Sequence, residues 1–152
     1  MSLQEEVDLL RTIPLFSRIE PSRLKLLAFT AQRLTFAPGD LLCRQGDEGD
    51  AAYIIITGDA DVLVESESGP VKVATLGPND LLGENAILCD VPRTATVKAT
   101  TKVETLMISK ELFFQLINQF PSISIEIMRE LARRVEKTTT MLRDAMATRT
   151  GT

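Results

Sequence analysis

The hydrophobic pattern changes period twice along the 152 residues. Near the N-terminus the spacing is helical. Glu5–Leu10 predicts a short helix that stops near Pro14. Pro21 stands at a first-turn position of a second helix, with Leu24, Leu27 and Ala28 on one face. From Leu34 to Ile108 short β-prone runs take over: Leu41–Arg44, Tyr53–Ile56, Val62–Glu65, Val71–Leu76, Thr94–Ala99 and Val103–Ile108. Turn-forming clusters such as Pro38-Gly39-Asp40, Gly58-Asp59 and Gly77-Pro78-Asn79-Asp80 separate them. Strands of this length at such spacing predict an antiparallel sandwich or barrel.

Helical spacing then returns. Ser109 reads as the N-cap of a helix over Lys110–Asn118 that buries Leu112, Phe113 and Leu116, and Phe120-Pro121 ends it. A longer helix follows over Ser122–Ala147, with Ser122 as its cap and Glu126 and Glu130 favouring its N-terminal half. Within it Met128, Leu131, Val135, Thr138, Leu142 and Ala145 are spaced 3, 4, 3, 4 and 3 residues apart. Such a stripe packs either on a parallel partner helix or on the domain's own sheet. In the first case Met128, Leu131, Val135 and Leu142 form a homodimer seam, in which Thr138 is a polar interruption. The whole describes one domain over residues 1–152, of mainly β, α+β class: an antiparallel β-barrel or jelly roll flanked by helices. Its zones are a helical entry (1–33), the β region (34–108) and C-terminal helices (109–147).

Composition narrows the chemistry. The chain has no histidine, which removes imidazole acid–base catalysis, histidine triads and histidine metal sites together. A non-enzymatic protein without a metal is expected. The net charge of −4, without basic blocks, gives no general attraction for nucleic acid or acidic membranes, so an anionic ligand needs a local site. Cys43 and Cys89 are expected as reduced thiols, since no spacing argument pairs them. The opening MSLQEEVDLLRTIP has neither the basic nor the apolar segment of a signal peptide, and no apolar run approaches roughly 20 residues. A cytoplasmic protein without a membrane span is the expectation.

The densest chemistry lies in Leu82–Thr96, LGENAILCDVPRTAT. Gly83 permits close backbone approach, and Glu84–Leu88 has the residues of one helical turn whose free N–H groups suit an anion. Arg93, aimed by Pro92, offers a planar fork of donors for a phosphate, whereas the Glu84 carboxylate is the usual kind of acceptor for a ribose hydroxyl. On the residues alone this is either a nucleotide monophosphate site or a plain Glu84–Arg93 ion pair.

The segment resembles the phosphate-binding cassette of the cyclic-nucleotide-binding domain family, which runs G-E-x-A, a short loop, then P-R-x-A. Upstream, Gly46–Val62 (GDEGDAAYIIITGDADV) resembles that family's other signature, paired glycines flanking an apolar strand, and Ile13-Pro14-Leu15-Phe16-Ser17 resembles its helical entry. Ala52 and Leu82 depart from the family's larger apolar and aromatic residues, as packing variations. The resemblance implies that Gly83 and Glu84 hold the ribose 2′-hydroxyl, that the backbone of Asn85-Ala86 with Arg93 holds the cyclic phosphate, and that Ala95 closes the cassette. Thr94 adds a hydroxyl toward phosphate or base.

For the base, Arg-Thr-Ala-Thr resembles cyclic-GMP-dependent kinases, whereas LARRVEKTT, Leu131–Thr139, resembles the C-terminal helix of the catabolite-activator branch. There a threonine and a serine meet adenine, and Thr138 and Thr139 occupy the matching places. The implied function is a regulatory sensor of cyclic AMP, with cyclic GMP second, whose C-terminal helix shifts on binding. A histidine-dependent cupin enzyme is excluded by composition. Direct DNA binding is not expected, because too few residues follow Ala147 for a recognition helix. A nucleotide-free dimerisation module of the same fold is the remaining alternative.

Overall fold

The computed structural model describes residues 2–13, 16, 17 and 19–150. Pro14 and Leu15, part of the expected helical entry, lie outside the described residues. Helix α1 (Leu3–Thr12) starts at Ser2, whose hydroxyl accepts the Glu5 N–H at 3.2 Å, and buries Val7 and Leu10. Helix α2 (Pro21–Thr30) has its proline at the first helical position and buries Leu24, Leu27 and Ala28, the predicted face.

Among the described residues, eight antiparallel strands follow: β1 (Gln32–Phe36), β2 (Leu41–Cys43), β3 (Ala51–Thr57), β4 (Ala60–Ser66), β5 (Gly69–Leu76), β6 (Leu81–Leu82), β7 (Thr96–Ala99) and β8 (Val103–Ser109). A short helix, α3 (Glu84–Cys89), interrupts them between β6 and β7. Among the described residues they form two four-stranded sheets, ordered β1-β8-β3-β6 and β2-β7-β4-β5. The result is a jelly-roll sandwich rather than a closed barrel. Strand β1 has no fully buried side chain, so it has no strong alternation for a sequence reading to find. Thr94 and Ala95, expected within a strand, precede β7 in a bend.

Strand β3 explains how the layers stack. Ile54 and Ile56 pack toward the helices with Leu106 and Ile108 of β8, in one cluster with Phe16, Leu24 and Phe113. Ile55 points the other way, into a second cluster with Leu42, Ala60, Val97 and Val103 drawn from both sheets. The period-2 alternation of a strand places adjacent isoleucines in different cores, so a strand covered on both faces is apolar throughout.

Ser109 caps α4 (Lys110–Gln119) by accepting the Leu112 N–H at 3.2 Å, and Phe113 and Leu116 are buried, with Leu112 half-buried beside them. Helix α5 spans Pro121–Thr150. Pro121 is its first residue and Ser122 lies inside it, so Ser122 is not the expected cap. A proline needs no N–H partner at that position and already has helical φ. The first turn of α5 has no acidic residue, and the side chains of Glu126 and Glu130 lie outside the described residues. The Arg23 guanidinium lies 4.9 Å from the Phe120 ring centroid, tying α2 to the α4–α5 corner. Among the described residues, no helix is long and apolar enough to cross a membrane.

Candidate functional site

The site begins at a backbone point that favours glycine. Gly83 leaves β6 with φ of +90° and serves as the N-cap of α3. A β-carbon there would strike Nη1 of Arg93 and come within 2.9 Å of the Ala51 carbonyl oxygen, so both the left-handed backbone and the close packing require glycine. Those same two residues hold Arg93. Its Nη2 donates to the Ala51 carbonyl at 2.7 Å, and its Nη1 donates to the Gly83 carbonyl at 3.1 Å.

The backbone of Arg93 is fixed as firmly. Its N–H donates to the Asp47 carbonyl at 2.8 Å, and its carbonyl accepts the Gly46 N–H at 2.9 Å. Gly49 lies against this arrangement from below: a β-carbon on it would overlap that of Ala86 and stand 3.5 Å from Cζ of Arg93. The two sequence signatures therefore meet in space, glycine of the first against alanine and arginine of the second.

Glu84 and Arg93 are both buried, 4% and 6% exposed. Among the described residues, the ion pairs do not join them. Instead both face one cavity of about 490 Å³, together with Gly83, Ala86, Thr94 and Ala95. That volume suits a small-molecule ligand. Asn85 lies in α3 between Glu84 and Ala86, and its side chain is outside the described residues. Apolar residues of the second sheet, among them Val62 and Val97, form an opposing wall.

Cys43 also lies in the wall, its Sγ 3.7 Å from the Ala95 carbonyl. Burial pushes its thiol up from the ordinary range, against the opposing pull of the Arg93 charge. Burial likewise raises Tyr53, again opposed by Arg93. Cys43 and Cys89 are both free thiols. Among the described residues, no group of three or more histidine, cysteine, aspartate or glutamate side chains could hold a metal ion.

Helix α5 also contributes to the cavity wall. Arg133 and Lys137 reach it, whereas Thr138 and Thr139 are not among its lining residues. The Thr139 hydroxyl donates to the Val135 carbonyl of its own helix at 2.9 Å. Two charged residues four apart on an exposed helix look the same in sequence whether they face a pocket or water, so nothing in the pattern singled them out. Gly49 could have been found, as one of the paired glycines of the upstream signature.

The family model of the cyclic nucleotide-binding domain matches residues 33–120, more than half of the chain, and spans both signatures. The chain belongs to that family. Over 142 residues it is 30% identical to the CRP-like cAMP-activated global transcriptional regulator of Mycobacterium tuberculosis, covering 93% of this chain and 63% of that protein. Over 115 residues it is 35% identical to a cAMP-dependent protein kinase regulatory subunit of Blastocladiella emersonii, covering 75% of this chain and 28% of the subunit. The catabolite activator protein of Thermus thermophilus superposes with a TM-score of 0.78 at 28% identity, over 88% of this chain and 63% of that one. The chain thus spans less than two thirds of the length of each of these relatives.

Proposed function

We propose that this cyclic nucleotide-binding domain acts as a regulatory sensor, taking a cyclic nucleotide monophosphate into the cavity between its cassette and α5. The observation that carries this reading is that the buried Glu84 and Arg93 line one cavity together with Gly83, Ala86, Thr94 and Ala95. The carbonyls of Ala51 and Gly83 take one N–H from each terminal nitrogen of Arg93. A guanidinium has five such donors, so Nε and the second hydrogen of each terminal nitrogen suit a cyclic phosphate. In this reading Glu84 and Gly83 accept and position the ribose 2′-hydroxyl, and the backbone of Asn85, Ala86 and Ala95 completes the cradle. Thr94 turns its hydroxyl to phosphate or base. The ligand is held, not transformed.

Cyclic AMP is supported by the descriptions of the two relatives, a cAMP-activated regulator and a cAMP-dependent kinase subunit. Cyclic GMP is a second reading, favoured by Thr94 in the cavity wall and by Thr138 and Thr139 outside it. Ligand contacts to both the cassette and α5 stabilise a closed position of the helix over an open one, and only that difference in affinity shifts the population. The exposed stripe Met128, Val135 and Leu142, 62%, 66% and 60% exposed, supports a second copy of this chain as the partner of α5.

Titration calorimetry of the purified chain with cyclic AMP and cyclic GMP tests the reading. Saturable binding of at least one at micromolar concentration is expected, and binding of neither refutes it. Arg93→Ala should weaken that binding by roughly 2–5 kcal/mol, the cost of leaving a buried charge unpaired. An unchanged affinity would move the phosphate elsewhere.

A further inference from the structure

Strands β2 and β7 part where the cassette needs room. Their pairing runs from Leu41–Lys98 to Cys43–Val97 and stops there. Contact resumes where Gly46 and Asp47 clasp the backbone of Arg93 with two hydrogen bonds. Between these stretches Thr94 and Ala95 leave the ladder in a bend and turn into the cavity wall. On the cavity side the thiol of Cys43 spans the gap to the Ala95 carbonyl. Gln45 spans it from outside. Its N–H donates to the Thr96 hydroxyl at 2.9 Å, and its Oε1 accepts the Glu65 N–H at 3.0 Å. Thr96 opens β7 and pairs with Leu63, so β4 has already run past its partner strand at Glu65. The Gln45 amide takes the place of the missing strand.

Gln45, Glu65 and Thr96 are not among the lining residues of the cavity. We infer that Gln45 and Thr96 are positioning residues for the phosphate of the bound nucleotide. From outside the cavity they fix the Gly46–Asp47 clasp, and through it the backbone from which Arg93 reaches the anion. This rests on the cyclic-nucleotide reading above and deepens it.

The physical reason is that an opened ladder needs other partners for its backbone groups, or it closes up. The clasp begins at Gly46, whose φ of +89° marks a residue with wide backbone freedom. Without the bonds at Gln45 it hangs on that glycine. The guanidinium tip of Arg93 stays tied to the Ala51 and Gly83 carbonyls while its backbone moves. Charge-assisted bonds to a phosphate depend on distance and angle, so a site whose supporting bonds are lost binds less well although every ligand-facing group remains.

The test compares the wild type with Thr96→Val, Thr96→Ser and Gln45→Met. Valine keeps the branched shape of threonine but offers the Gln45 N–H no acceptor, whereas serine keeps the acceptor and loses a methyl. Cyclic AMP and cyclic GMP are titrated into each protein, and amide hydrogen exchange is followed by NMR without nucleotide. Thr96→Val and Gln45→Met should each weaken binding about tenfold, a usual cost of leaving a half-buried N–H without its partner. Thr96→Ser should bind as the wild type does. In Thr96→Val, exchange should quicken at Gly46 and Arg93 and keep its wild-type rate at Ile54 and Leu106, which pair in the other sheet.

Wild-type affinity in Thr96→Val or in Gln45→Met overturns the inference and leaves the cassette reading standing. So does a loss of affinity that Thr96→Ser shares, or one accompanied by faster exchange at Ile54 and Leu106, since both mark a merely structural role. Weaker binding with unchanged exchange at Gly46 and Arg93 overturns it as well, because the clasp is then not the route. A wild type that binds neither nucleotide removes the cassette reading and this inference together.

Discussion

The guanidinium of Arg93 bonds the carbonyls of Ala51 and Gly83, so the arginine is aimed by the backbone around it. Gly83 is the most exacting part of that arrangement, because its φ of +90° and the closeness of Arg93 both exclude a side chain. Gly83→Ala should therefore cost about 1–3 kcal/mol of stability through backbone strain, measured by urea unfolding, and should weaken nucleotide binding with it. Unchanged stability would mean that the backbone relaxes without displacing Arg93. Glu84 and Arg93 were legible as a pair in the sequence because motif and spacing travel together. The reason for Gly49 was not, since its neighbours Ala86 and Arg93 are distant in the chain and adjacent only after folding.

The apolar stripe of helix α5 is not buried uniformly. Leu131 is half-buried and packs against the helical core, whereas Met128, Val135 and Leu142 are exposed. The 3-4 stripe therefore splits. One position serves this domain, and the others suit a second copy. Leu131→Asp would damage the fold along with any dimer, so Val135→Asp and Leu142→Asp are the cleaner probes. By sedimentation equilibrium the wild type should be a dimer and both variants monomers at the same concentration. A monomeric wild type would leave the stripe without a partner. Periodicity revealed this stripe but could not apportion it, because spacing along a helix is blind to what stands opposite. The same blindness concealed Arg133 and Lys137.

At the scale of the molecule, the cavity joins parts that are far apart in the chain: Cys43 of β2, the cassette, the second sheet and α5. A ligand that bridges them binds the folded state and has little to hold in the unfolded one. Nucleotide at one hundred times its dissociation constant should stabilise the wild type by about 2.7 kcal/mol, seen as a higher urea midpoint. The Arg93→Ala variant at the same concentration should show much less. An unshifted wild-type midpoint at that saturation would mean that the unfolded chain binds equally well.

By itself the sequence determined most of the order of elements, the buried faces of α2 and α4, the first-turn proline Pro21, the cap at Ser109 and the two signatures. Each of these depends on residues close together in the chain, where periodicity, cap chemistry and motif spacing act. Only the tertiary structure decided that the strands form two sheets rather than a closed barrel, and that Gly49 packs on the cassette. It also decided that the Arg133–Lys137 face of α5 meets the cavity, whereas Thr138 and Thr139 do not line it. Those outcomes depend on how remote segments pack, and no local pattern specifies the rotation of a helix against a sheet.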